Sequence, residues 1–105
     1  MKYKSQLQEI KEEEFNIKKT KSFIYKLVNK IHSLNLLYKL SFKKKYYIKF
    51  KDIKDLQLHR QEIEDKVFNL NKKLDFHNTY LNKCNNNLIK MYNNLVYYEI
   101  LFNKN

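Results

Sequence analysis

Few side chains in this 105-residue sequence combine a reactive type with a spacing that could do chemistry. The three histidines, His32, His59 and His77, lie far apart, and Cys84 is the one cysteine. His77 and Cys84 are seven residues apart and share a helical face, but two ligands do not complete a structural zinc site. Asp55, His59 and Glu62 also share a face at i, i+4 and i+7, the pattern of a solvated helix surface. Cys84 sits between Leu81 and Leu88 with no histidine within a turn to lower its pKa. A cysteine so placed acts as a small buried hydrophobe. The chain has no glycine, so Gly-rich phosphate loops and dinucleotide fingerprints are excluded. No Ser/His/Asp arrangement stands out. The sequence therefore predicts no catalytic residue, no metal site and no cofactor, and a chain that is not an enzyme.

The dense chemical feature is positive. Leu37–Ile53 reads LYKLSFKKKYYIKFKDI and holds Lys39, Lys43, Lys44, Lys45, Lys49 and Lys51 before its first acid, Asp52. These lysines form a candidate phosphate-binding set, and the interleaved Tyr46, Tyr47 and Phe50 could stack on bases. Lysine without arginine suits non-specific phosphate contact better than base reading. The same patch could meet an anionic lipid surface. Codon usage offers a plainer origin for the charge. Lys, Asn, Ile, Tyr and Phe make up 60 of the 105 residues, while Gly, Pro and Ala are absent. That bias points to an AT-rich genome, which favours Lys over Arg and supplies part of the net charge of +11 without any anionic partner.

The elements that carry these residues are helices. A chain without Gly and Pro lacks the residues of tight hairpin turns, so sandwiches and doubly wound folds are hard to build. Steps of four and three from Leu56 give Leu56, Arg60, Ile63, Val67, Leu70, Leu74, His77, Leu81, Cys84, Leu88, Met91, Leu95, Tyr98 and Phe102. Twelve of these fourteen are apolar, which predicts a long helix packing a narrow seam against a partner helix. Asp52 is its expected N-cap, with Asp55 three residues on as a weak capping-box partner. A weaker seam is Leu7, Ile10, Glu14, Ile17, Lys21, Ile24, Val28, Ile31, Asn35 and Tyr38, opened by a Ser5–Gln8 capping box. From Ile24 to Tyr38 its apolar face broadens to include Leu27 and Leu34. The two seams are out of register across the lysine-rich stretch, which makes that stretch the connection.

The expected fold is all-α: a long antiparallel helical hairpin with coiled-coil-like heptad packing. It forms a single domain, with helix one at about 6–41, a Lys-rich elbow at about 42–52 and helix two at about 53–103. A three-helix bundle with a break near His77–Thr79 is the alternative. Residues 46–50 are rich in strand formers, although a lone strand would have nothing to pair with. Arg60 is expected to snorkel at the seam edge, and His77 to be a tolerated edge residue or a register-setting one. Leu37-Tyr38-Lys39, with Lys43 and the distant Phe68, resembles a relaxed form of the tripeptide of the LYR-motif family of small basic helical mitochondrial proteins. Lys stands here where that family has Arg, the N-terminal extension is long, and the resemblance is confined to the span from Leu37 to Phe68.

The end of helix two carries more apolar surface than one seam uses. Leu88–Phe102 is apolar on most faces, and the antiparallel arrangement brings it beside a charged helix start that offers only Leu7, Ile10 and Phe15 as cover. Leu88, Met91, Tyr92, Leu95, Tyr98, Leu101 and Phe102 are therefore the predicted protein interface. The stretch is too short and too polar to span a bilayer. The N-terminal MKYKSQLQEIKEEEF has no apolar core of a secretory signal, and its four glutamates disfavour a mitochondrial presequence. With one cysteine, the expected location is an intracellular, reducing compartment. The expected function is a structural or adaptor subunit that packs against other protein subunits or against itself. A nucleic-acid-associated factor, such as a ribosome or ribonucleoprotein component held by the elbow lysines, is the alternative.

Overall fold

A computed structural model describes residues 2–43, 45, 50 and 52–104, and is all-α among them. Two long helices, α1 (Lys2–Leu40) and α2 (Ile53–Lys104), pack against each other as a helical hairpin. The α2 helix runs unbroken through His77, Asn78 and Thr79, so the break required by a three-helix bundle is not there. Each helix contributes to two compact units, one formed by Met1–Phe23 with His77–Asn105 and the other by Ile24–Phe76.

Local sequence sets the helix ends. Asp52 caps α2: its Oδ1 accepts from the Asp55 backbone N–H at 2.8 Å, and its carbonyl accepts from Leu56 at 3.3 Å. Such a cap satisfies one of the four orphan donors of the first turn. The start of α1 differs from the expected one. The chain is already helical at Lys2, so Ser5 lies inside the helix, and the Gln8 side-chain amide donates forward to Glu12 at 3.4 Å.

In the unit formed by Ile24–Phe76, Leu56, Ile63 and Leu70 are buried, and Arg60, Val67 and Leu74 are half-buried. They are matched on α1 by half-buried Ile24, Leu27, Ile31, Leu34 and Tyr38, and just beyond its end by fully buried Ser41. The pair runs antiparallel, because the Tyr38 hydroxyl donates to Glu64 at 2.7 Å while Arg60 reaches Ser41. In the unit formed by Met1–Phe23 with His77–Asn105, Ile10, Ile17, Thr20 and Cys84 are buried. His77, Leu81, Leu88, Met91, Leu95 and Tyr98 are half-buried there. The order is again antiparallel, with Phe23 stacked on His77 at 5.8 Å and Tyr92 donating to Glu14.

Every α2 seam position named from the sequence, from Leu56 to Tyr98, is buried or half-buried, and Phe102 alone among them is exposed. The α1 seam requires a correction. Ile10, Ile17, Ile24, Ile31 and Tyr38 do face inward, but the positions between them are Glu13, Thr20, Leu27 and Leu34. Glu14, Lys21, Val28 and Asn35, one residue later, are exposed. Thr20 can be buried because a small hydroxyl costs far less to take out of water than the Lys21 ammonium would. Among the described residues no buried side-chain polar atom lacks a hydrogen-bond partner.

Candidate protein-interaction site

The interface predicted at the C-terminal end divides in two. Leu88, Met91, Leu95 and Tyr98 are half-buried in the seam against α1. Tyr92 and Leu101 lie at the margin of exposure, and Phe102 is 81% exposed. A second row, not part of the predicted interface, is open to solvent: Ile89 at 58%, Val96 at 52% and Ile100 at 52%. Ile89 and Val96 each follow a seam residue, Leu88 and Leu95, by one position, so they turn out of the seam on the side that Tyr92 occupies. The signal was present in the sequence as surplus apolar residues. Only the burial pattern separates the row that α1 covers from the row it leaves.

Two polar clusters border this region. The Tyr92 hydroxyl donates to the Glu14 carboxylate, and that bond raises the phenol pKa. Within the seam, Cys84 is 2% exposed. Burial pushes its thiol pKa up, and its hydrogen bond to the Glu13 carboxylate adds to the shift, while the Tyr80 hydroxyl on the sulfur works the other way. The bond to Cys84 in turn raises the Tyr80 phenol. A thiol held protonated is a poor nucleophile. The cluster therefore reads as a satisfied polar layer of the core.

The end of α1 is closed by a residue that the sequence offered only as a seam-edge side chain. Arg60 donates through Nη2 to the Ser41 carbonyl at 2.8 Å and through Nε to Ser41 Oγ at 3.1 Å. Its guanidinium lies 3.9 Å from the centre of the Phe42 ring. Ser41 Oγ itself donates to the Tyr38 carbonyl at 2.5 Å. Helices often end on a glycine of positive φ; this chain has no glycine, and among the described residues none takes a positive φ. A planar cation at the C-terminal carbonyls takes over that task and complements the helix dipole. The Glu64 carboxylate, by accepting from Tyr38, raises that phenol as well.

Of the candidate phosphate-binding set, Lys39, Lys43 and Lys45 are exposed. Lys44, Lys49 and Lys51, with Tyr46, Tyr47 and Ile48, lie outside the described residues, and with them most of the segment considered for a strand. A shallow groove beside this region is lined by Phe50, Asp52, Ile53, Leu56 and Arg60, with the Phe50 ring 5.1 Å from that of His59. Among the described residues no group of three or more His, Cys, Asp or Glu side chains could hold a metal ion. None of the described helices is long and apolar enough to cross a membrane. No family model, no curated protein and no solved structure matches this chain.

Proposed function

We propose that this chain is a non-enzymatic structural or adaptor subunit that packs by helix–helix contacts within a larger protein assembly. The observation that carries this reading is the open row Ile89, Val96 and Ile100, together with Phe102. Large apolar side chains left open on a small chain mark an interaction site, because their burial is favourable by roughly 25 cal/mol per Å². The predicted interface Leu88, Met91, Tyr92, Leu95, Tyr98, Leu101 and Phe102 then divides its labour: the seam members hold α1 and the outer members meet the partner. The reading includes coiled-coil-like interlocking of the two seams as one domain, supported by the four-and-three spacing of the buried positions along both helices. It also carries an intracellular, reducing compartment, in which Cys84 stays a thiol.

Affinity capture of the tagged chain from its native extract, with and without nuclease, tests this. A fixed set of proteins that survives nuclease and is lost from the Val96→Asp variant supports the subunit reading. Loss of every bound species on nuclease treatment sinks it. That second outcome would favour the nucleic-acid reading, for which exposed Lys39, Lys43 and Lys45 speak. Binding through them would fall steeply with salt.

A further inference from the structure

We infer that the partner seated on the open row is an acidic amphipathic helix, recognised by a line of lysines on α1 that runs beside it. The inference rests on the adaptor reading and adds the chemistry of the partner. It concerns only the unit formed by Met1–Phe23 with His77–Asn105.

Register relative to the seam fixes which surfaces lie side by side. Glu14 follows the seam residue Glu13 by one position, and Tyr92 follows Met91 by one; their hydrogen bond places both on the same side of the helix pair. On α1, Lys11 and Lys18 likewise follow Ile10 and Ile17 by one position, and Lys4 lies one heptad before Lys11. All three are exposed. On α2 the same side carries Ile89 and Val96, with Ile100 one turn further on. This side is therefore a lysine line about 20 Å long next to an aliphatic row about 16 Å long, at about 1.5 Å per helical residue. Its acids are Glu14, which accepts from Tyr92, and Glu99.

The opposite side is built differently. There the charged residues one position before the seam are Glu9, Glu12 and Lys19 on α1, and Lys83 and Lys90 on α2. Acids and bases are mixed along α1 there, and α2 adds two lysines rather than a row of open aliphatic residues. The Ile89 side has bases on one helix and aliphatic surface on the other. A helix with an apolar stripe and acids along one flank meets both demands at once. A second copy using the same face would bring lysine line toward lysine line, in a chain of net charge +11.

The test uses two synthetic helical peptides of about three heptads with the same Leu stripe, one flanked by Glu and the other by Lys at the same positions. Anisotropy of each labelled peptide is titrated with the full chain at roughly 0.1 M salt. The Glu peptide is expected to bind at least about tenfold more tightly. Ile89→Asp with Val96→Asp should abolish binding of both peptides. Lys4→Glu with Lys11→Glu and Lys18→Glu should invert the preference, whereas Lys72→Glu with Lys73→Glu, on exposed positions of the other unit, should leave it intact. Far-UV circular dichroism confirms that each variant is folded. Equal binding of the two peptides, or a preference that survives the Lys4, Lys11 and Lys18 reversal, overturns the acidic partner while sparing the adaptor reading. Binding of neither peptide overturns the inference too, and the capture experiment then judges the adaptor reading separately. Sedimentation of the chain alone as a dimer that Val96→Asp disperses would also overturn it, by making a second copy the occupant.

Discussion

In the unit formed by Ile24–Phe76, two exposed aromatic rings, Phe42 and Phe68, find a cation within the unit; in the unit formed by Met1–Phe23 with His77–Asn105, the exposed aliphatic row Ile89, Val96 and Ile100 has no such answer. The Phe42 ring has the Arg60 guanidinium over it at 3.9 Å, and the Phe68 ring has the Lys72 ammonium at 4.5 Å. An aromatic face carries a negative quadrupole that a cation can sit on without leaving water. Ile89, Val96 and Ile100 have no such face, and only another apolar surface can cover them. Exposure alone is thus a weak guide to function in this chain. The chemistry of the exposed group decides whether its own unit can answer it.

The comparison can be broken most forcefully by truncating one side chain of each kind. Ile63 is 3% exposed, and Ile63→Ala should cost about 2–4 kcal/mol through lost burial and the cavity left behind. Val96→Ala on the open row should stay within about 0.5 kcal/mol. Urea unfolding followed by circular dichroism measures both, and equal losses would mean that the open row is already packed in the free chain.

A smaller effect sharpens the account of the Arg60 clasp. Arg60→Ala should cost about 1.5–3 kcal/mol, since it removes charge-assisted bonds to the end of α1. Lys at this position cannot donate to Ser41 O and Ser41 Oγ in one plane while stacking on Phe42. Arg60→Lys should therefore recover less than half of the loss in a thermal melt; full recovery would reduce the clasp to a simple charge effect. Asp52→Ala comes next, at about 1 kcal/mol for a lost N-cap, with amide exchange accelerated in the first turn of α2.

The smallest effect is a dependence on alkaline pH. Tyr38, Tyr80, Tyr92 and Cys84 all have pKa values raised in the fold. A raised pKa means that the folded state holds its proton more tightly than the unfolded one. The contribution is complete below the unfolded pKa and is lost as pH rises through the folded value. Stability should therefore fall first above the ordinary thiol range, about 8.5, and again above the phenol range, about 10. Tyr92→Phe and Tyr38→Phe should flatten the second decline in a series of melts against pH. An unchanged profile would show that these hydroxyl bonds do not persist in solution.

The heptad spacing of Leu56 to Tyr98 and the capping power of Asp52 were legible in the sequence, because a helix positions side chains by number alone. The same arithmetic failed on α1. The line through Glu14, Lys21, Val28 and Asn35 and the line through Glu13, Thr20, Leu27 and Leu34 share the same isoleucines, so hydrophobic count does not choose between them. Only the packed partner does: Glu13 meets the Cys84 thiol, and Glu14 is left outside to accept from Tyr92. The role of Arg60 was likewise hidden, since nothing in its neighbours says that it closes the end of α1 by bonding Ser41, 19 residues earlier. By itself, then, the sequence determined the two long helices among the described residues, where the second of them begins, and which stripe of it turns inward. These are local consequences of backbone geometry and residue type. The tertiary structure decided which residues of α1 fill the seam, which cation ends α1, and which apolar row at the far end of α2 stays open. Each of those depends on what the opposite helix presents at that level.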